Sequence, residues 1–259
     1  MDWAKHGRTS LHDPNTMGSS LPTGAAKDAV VVLGQRIVND VYLPGDVMPT
    51  EPELADSLGV SRTTVRDAIK VLSGKGMVRT ARRYGTRVRP VEDWNLLDAD
   101  VVSWHQPSNK RIARMFVETT ELRCIIEPAA AALAAKRAKP EQVQIILEAA
   151  HAMHPGSGDV DELFAADCLF HSTVLDATNN LMMRQLQPIF RSILRISYEF
   201  GVQIVDGKTP SRAGHILVAD AIRDGDSEKA RSEMDLMLEG NRMTSAEYWQ
   251  RHNDTSNAD

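Results

Sequence analysis

The chain has 259 residues, 42% of them hydrophobic and 25% charged, with a formal net charge of −5. This composition is typical of a folded, soluble protein of about two domains, and no apolar run approaches the length of a membrane span. The two cysteines lack CxxC spacing, which argues against a disulfide framework, so we expect reduced thiols and a cytoplasmic location.

The charge is unevenly distributed along the chain. Residues 24–90 carry a net +4, whereas residues 91–259 carry a net −9. Residues 62–89 contain nine lysines and arginines and a single acidic residue, Asp67. A basic N-terminal module on an acidic body predicts that the N-terminal part meets a polyanion.

The first module contains clear helix boundaries. A first amphipathic helix is followed by a turn at Pro44 and Gly45. Thr50 and Glu53 have the spacing of a capping box, and Gly59 suits the C-terminal end of that short second helix.

The stretch GVSRTTVRDAIKVL predicts a third helix, capped by Ser61. Its apolar stripe is Val65, Ala68, Ile69 and Leu72, and its opposite, basic face carries Arg62, Arg66 and Lys70. Two helices joined by a glycine-containing turn predict a helix-turn-helix, whose second helix enters the major groove. The residues expected to face DNA are Ser61, Arg62, Thr63, Thr64 and Arg66.

The next segment, GMVRTARRYGTRVRP, predicts two short strands around Tyr84 and Gly85. We interpret it as a β-hairpin wing, with arginines available for the DNA backbone or minor groove. These are Arg82, Arg83, Arg87 and Arg89.

The run MPTEPELADSLGVSRTTVRDAIKVLSGKGMVRTARRYGTRV resembles the winged helix-turn-helix of the GntR family of bacterial transcription regulators. The resemblance implies that Arg62, Thr63, Thr64 and Arg66 face bases and phosphates and that Gly85 is the wing-tip glycine. It also exposes a departure, because Pro52 replaces the arginine usual in the first helix of the motif. A DNA contact that the family often makes from this helix is therefore absent, and we expect the operator sequence or the operator affinity to differ from those of other family members.

The connector of residues 92–108 is too apolar for a free linker, and we expect it to pack on one or both domains. A short helix from Leu97 to Trp104 is predicted there. The string around Trp94 and Trp104 resembles the connector of the family's sugar-acid regulators.

Residues 109–250 are predicted as an all-helical antiparallel bundle of six or seven helices, with almost no strand signal. The expected fold is thus mostly α: a winged helix-turn-helix of three helices and a small hairpin, joined to the bundle. The predicted organisation is a flexible tail at 1–23, the head at 24–91, the connector at 92–108, the bundle at 109–250 and a second tail at 251–259.

A candidate metal site lies in the string DCLFH. Asp167 and His171 are four residues apart on one helical face, and His215 begins a later helix. Carboxylate and imidazole groups projecting into a bundle can hold a divalent cation such as Zn²⁺. The alternative is an ordinary hydrogen-bonded pair in the core.

The order of ELRCIIEPAAAALAA, DCLFHSTVLDATNN and GHILVADAIRDGD resembles the FCD ligand-binding domain of the FadR subfamily. That resemblance implies a metal held by an aspartate and three histidines, but Met237 occupies the position of the fourth ligand. The site is therefore either a three-ligand site completed by the effector or a vestigial pocket without a tightly bound metal. The resemblance further implies that Arg123 faces the pocket and suits a carboxylate, and that Asn180 lines the pocket or caps a helix.

Together these features predict a ligand-responsive repressor, released from a palindromic double-stranded DNA operator by a small carboxylate effector, such as a sugar acid. A palindromic operator requires a two-fold axis, so we expect a homodimer. The alternative is a metal-dependent enzyme on a helical bundle with an accessory DNA-binding head. The sequence offers no separate acid–base pair for that chemistry, so we predict that the protein is not an enzyme.

Overall fold

The computed structural model describes residues 21–106, 109–153, 160–198 and 212–254. Within these ranges the chain forms eleven α-helices and one two-stranded antiparallel sheet. It divides into two compact units between Asn109 and Lys110. The predicted tails fall largely outside the described ranges, although the last helix continues to Asp254.

The N-terminal unit is the predicted winged helix-turn-helix. Its elements are α1 (Ala25–Val38), α2 (Glu51–Leu58), α3 (Arg62–Gly74), β1 (Val78–Ala81), β2 (Gly85–Val88) and α4 (Ala99–Trp104). The strands pair in antiparallel register, with Arg79 opposite Arg87 and Thr80 opposite Thr86. The head is therefore three helices followed by a hairpin wing, as the sequence predicts.

Local chemistry sets the bounds of α2 and α3. The Thr50 amide donates to the Glu53 carboxylate over 2.7 Å, as a capping box requires. Gly59 ends α2 at a φ of 65°, a left-handed conformation that costs glycine little. The Ser61 hydroxyl accepts from the Thr64 amide over 3.1 Å and so starts α3.

The connector packs on the head. Asp98 caps α4 by accepting from the Asp100 and Val101 amides, so the helix starts two residues later than predicted. The Trp104 ring lies on Gly34 of α1, where a Cβ would come within 2.3 Å of it. Only glycine at position 34 allows the ring this close.

A buried lysine fixes the connector further. Lys75, at the C-terminal end of α3, is 4% exposed, and its ammonium lies 2.7 Å from both Asp98 oxygens and 2.9 Å from Asp100. Burying an ammonium costs free energy unless the charge is paired. Asp98 and Asp100 offset that cost for Lys75 and so join the connector to α3.

The second unit is all helical. Its elements are α5 (Lys110–Arg137), α6 (Pro140–Ala152), α7 (Val160–Ala177), α8 (Leu181–Arg184), α9 (Gln187–Ile196), α10 (Arg212–Arg223) and α11 (Ser227–Asp254). The long helices α5 and α11 pack along each other, and Pro128 lies inside α5 without ending it. Seven helices in the described part agree with the predicted bundle.

None of the described helices is both long enough and apolar enough to cross a lipid bilayer.

Candidate functional site

The N-terminal end of α3 is exposed because the apolar face of the helix packs in the core of the head. Val65, Ala68, Ile69 and Leu72 are buried, which turns the N-terminal residues of the helix to solvent. Ser61, Arg62, Thr63 and Arg66 are exposed, and Thr64 is half-buried. The sequence-predicted contacts thus share one accessible surface at the start of α3.

Arg66 is held in place by Glu51. Its Nε and Nη2 donate to the two oxygens of Glu51 over 3.2 and 2.7 Å, a bidentate pair between α3 and the first turn of α2. The hydrogen bond from Arg66 lowers the pKa of Glu51. Because both side chains are substantially exposed, the pair adds little stability and acts mainly on the orientation of Arg66.

The wing presents two arginines at its tip. Arg82 and Arg83 are exposed in the turn between the strands, and Arg83 has a φ of 72°. Gly85 also has a positive φ, of 74°. Two further wing arginines make contacts within the head: Arg87 donates a hydrogen bond to the Gly45 carbonyl, and Arg89 forms an ion pair with Asp93.

The three predicted metal ligands meet in the helical unit. Asp167 and His171 come from α7 and His215 from α10, and each is 2–3% exposed. Asp167 Oδ1 lies 3.4 Å from His171 Nε2 and 3.1 Å from His215 Nε2, and the two Nε2 atoms are 3.4 Å apart. One nitrogen or oxygen from each residue therefore points to a common centre.

Arg123 and Glu127, one turn apart on α5, border this centre. Arg123 Nε donates to Glu127 Oε1 over 2.6 Å, and its Nη2 lies 3.3 Å from His171 Nε2. Glu127 Oε2 lies 2.5 Å from His171 Nδ1. Both side chains are 3% exposed. We call these five residues the charged cluster: Arg123, Glu127, Asp167, His171 and His215.

Electrostatics keep both carboxylates of the charged cluster ionised. Burial alone would raise their pKa values, but Arg123 and His171 hold the pKa of Glu127 at about 2. The two histidines likewise hold the pKa of Asp167 well below its usual range. Burial would lower the pKa of His171, but Glu127 and Asp167 outweigh it and raise it to about 9. The cluster is thus an assembly of opposite charges that stabilise one another.

Met237 and Asn180 take different places. The Met237 side chain packs on Gly214, where a Cβ would lie 2.8 Å from its Cγ, beside the turn that carries His215. Asn180 is exposed and caps α8, its Oδ1 accepting from the Met182 amide over 2.9 Å. The geometry thus gives Asn180 a capping role and puts Met237 next to the ligand-bearing helix.

Glu127 is the cluster residue that sequence reasoning missed. It lies on a different helix from His171, 44 residues earlier, so no spacing connects the two. Its position four residues after Arg123, on the same helical face, was the available signal.

Comparison with known proteins matches both units. Residues 26–88 match the family of bacterial regulatory proteins called gntR, and residues 118–240 match the FCD domain. The galactonate operon transcriptional repressor of Escherichia coli K12 is 31% identical over 81% of this chain and 91% of that protein. A putative L-lactate dehydrogenase operon regulatory protein of the same strain is 31% identical over 73% of this chain and 74% of its own length.

A solved structure supports the fold. It is of Lar, a protein described as controlling expression of the Listeria monocytogenes agr system, and it aligns with a TM-score of 0.58. The alignment covers 87% of this chain and 98% of that one at 17% identity.

Proposed function

This chain belongs to the GntR family of bacterial transcription regulators and carries an FCD domain, and we propose that it is a dimeric repressor whose operator affinity falls when a small sugar acid binds the charged cluster. It is a DNA-binding regulator and not an enzyme, so the alternative of a metal-dependent catalyst is set aside. The observation that carries the proposal is the convergence of three buried ligand atoms beside Arg123.

The proposed DNA contacts lie on the exposed start of α3 and at the wing tip. Arginine can bind guanine bidentately, while threonine and serine hydroxyls suit phosphates. The residues are Ser61, Arg62, Thr63, Thr64, Arg66, Arg82, Arg83 and Gly85. The contact with Glu51 supports this assignment for Arg66. A side chain that is already held in one conformation loses less conformational entropy when it binds a base edge.

The charged cluster fits a divalent metal ion. Bonds of about 2.0–2.2 Å to nitrogen and oxygen place the ligand atoms of a tetrahedral zinc site roughly 3.3 Å apart, which the separations of 3.1–3.4 Å match. Asp167 Oδ1 is buried and makes no hydrogen bond within the described residues, as expected of a ligand atom. Asp167, His171 and His215 would hold the ion, which would supply a Lewis-acidic point for an oxygen of the effector.

The proposed effector is a small 2-hydroxy acid, a sugar acid in particular. Arg123 lies beside the proposed metal and offers its Nη2 edge to a carboxylate. The named operons of two relatives concern galactonate and L-lactate, which are both 2-hydroxy acids. With three protein ligands instead of four, this site leaves more of the metal open to such a chelating acid.

Thermal unfolding of the full chain tests the proposal. A panel of hexonates, hexuronates, lactate and citrate is added with and without EDTA. A true effector at a hundred times its Kd adds about 2.7 kcal/mol to the free energy of unfolding. We expect one sugar acid to raise the Tm, EDTA to erase the shift, and the same acid to weaken operator binding.

A matched pair of variants controls this experiment. Arg123→Lys keeps the charge but loses the planar fork and should weaken the effector-induced shift. Arg114→Lys is exposed on the same helix and should respond like the wild type. An unchanged Tm with every acid, metal-loaded or not, would contradict the effector proposal, and a shift that survives EDTA would contradict its metal component.

A further inference from the structure

Glu127 is the one carboxylate of the charged cluster that is not among the proposed metal ligands. Its two oxygens serve two different partners: Oε1 accepts from Arg123 Nε, and Oε2 lies 2.5 Å from His171 Nδ1. Glu127 Oε2 and His171 Nδ1 are both buried, and neither has a hydrogen-bond partner elsewhere in the described residues. Each is therefore the natural counterpart of the other.

The proton positions follow from the donors and acceptors present. A neutral imidazole has one N–H and one lone pair, and an ionised carboxylate can only accept. A histidine that binds a metal through one nitrogen carries a proton only on the other. Because the Glu127 carboxylate can only accept, metal-bound His171 keeps its proton on Nδ1, which leaves the lone pair on Nε2.

We infer that Glu127 is a positioning residue that sets the tautomer and orientation of His171, so that the Nε2 lone pair is directed at the metal centre. The inference rests on the proposed function, because it assigns the support of the metal site proposed there. A carboxylate behind a ligating histidine fixes the ring and raises its basicity as a ligand. The same side chain also holds Arg123, so one carboxylate orients both the metal ligand and the group proposed to bind the effector.

The isosteric change Glu127→Gln tests this sharply. Arg123 Nε still requires an acceptor, so the carbonyl oxygen of the new side-chain amide must face it and the amide NH₂ must face His171 Nδ1. That NH₂ demands a lone pair on Nδ1, which moves the ring proton to Nε2 and blocks the ligand atom. We expect Co²⁺ and Zn²⁺ affinity to fall by about 10–100-fold, with a changed Co²⁺ visible spectrum.

Two controls separate positioning from general loss of structure. Glu121→Gln makes the same change on the exposed face of α5 and should bind metal like the wild type. In a His171→Ala background, Glu127→Gln should cost no further metal affinity, because a residue that acts through His171 has nothing left to act on. Should Glu127→Gln fail to fold, ¹⁵N NMR of the Zn²⁺-loaded wild type must show the His171 proton on Nδ1.

The outcomes are distinguishable. Wild-type affinity and spectrum in Glu127→Gln, or a proton on His171 Nε2 in the metal-loaded protein, would overturn the inference alone. A wild-type protein that binds neither Co²⁺ nor Zn²⁺ would overturn it together with the metal component of the proposed function.

Discussion

At the scale of single residues, position 237 separates this chain from the four-ligand pattern that the family resemblance implies. Met237 packs on Gly214, which directly precedes the proposed ligand His215. A thioether is a weak ligand for a borderline cation such as Zn²⁺. The chain thus has three candidate ligands, and a flexible apolar side chain at the sequence position where the family resemblance implies a fourth.

Restoring that ligand should tighten the site. We predict that Met237→His raises Zn²⁺ affinity by at least about tenfold, equivalent to about 1.4 kcal/mol from one added metal–nitrogen bond. Competition with a chromogenic chelator measures the change. Met237→Leu, which keeps the packing volume and adds no ligand, is the control; equal affinities in both variants would mean that residue 237 does not reach the metal.

The second residue-scale prediction concerns Arg62. It is exposed at the first turn of α3, so Arg62→Ala should leave the fold intact and cost about 1–3 kcal/mol of specific operator binding. Lys229→Ala removes the same charge from an exposed site on α11 and should leave binding nearly unchanged. Fluorescence-anisotropy titration with operator DNA compares them, and coincident isotherms for the two variants would remove Arg62 from the interface.

The two candidate sites differ in how far sequence predicts them. The α3 face is local, so helical spacing alone brings Arg62 and Arg66 to one side. Asp167 and His171 are likewise four apart on one helix, but their meeting with His215 is tertiary and was suggested by family resemblance. Glu127 and the Glu51–Arg66 pair came only from the structure, because each joins two helices that no sequence period relates.

At the scale of elements, a buried lysine between two carboxylates joins α3 to the connector. Lys75 is almost fully buried between Asp98 and Asp100, which are about one-fifth exposed. We predict that Lys75→Met lowers the free energy of unfolding by about 1–3 kcal/mol, because Asp98 and Asp100 lose their cation. The loss is limited because water still reaches both carboxylates.

Chemical denaturation of the full chain checks this prediction against Lys70→Met. Lys70 lies on the same helix, but its pair with Asp67 is exposed, so its loss should change stability by well under about 1 kcal/mol. Similar effects from the two substitutions would show that the buried contact does not hold the connector.

Helix boundaries were predictable where the sequence has strong caps and less so where it does not. Thr50, Gly59 and Ser61 marked α2 and α3 correctly. The sequence predicts one helix over residues 181–205, but within the described residues α8 ends at Arg184 and α9 begins at Gln187. Pro188 is the physical reason: it lacks an N–H and is favoured in a first helical turn, as it stands in α9.

At the scale of the whole molecule, the head is larger than its family motif. The head's core cluster includes Trp94, Val101 and Trp104 of the connector, and the compact unit ends at Asn109. We therefore propose that the head folds as a unit through Asn109, with the connector as part of its structure.

Two fragments test this extent. Residues 16–109 should unfold cooperatively, whereas residues 16–91 should be markedly less stable, because they lose the Trp104 contact on Gly34 and leave Lys75 without its carboxylates. Thermal melts followed by far-ultraviolet circular dichroism compare them. Equal melting temperatures would show that the connector only rests on the head.

The buried indoles of the connector also give the protein an optical reporter of its own. The chain has four tryptophans, and Trp94 and Trp104 are only 5% and 3% exposed within the head. The Lys75 ammonium lies 5.7 Å from the centroid of the Trp104 ring, so lifting the connector would change both the hydration and the electric field around that indole. A conformational change that detaches the connector from the head should therefore alter the intrinsic fluorescence of Trp104. A change that moves the connector and the head together should leave that fluorescence unaltered.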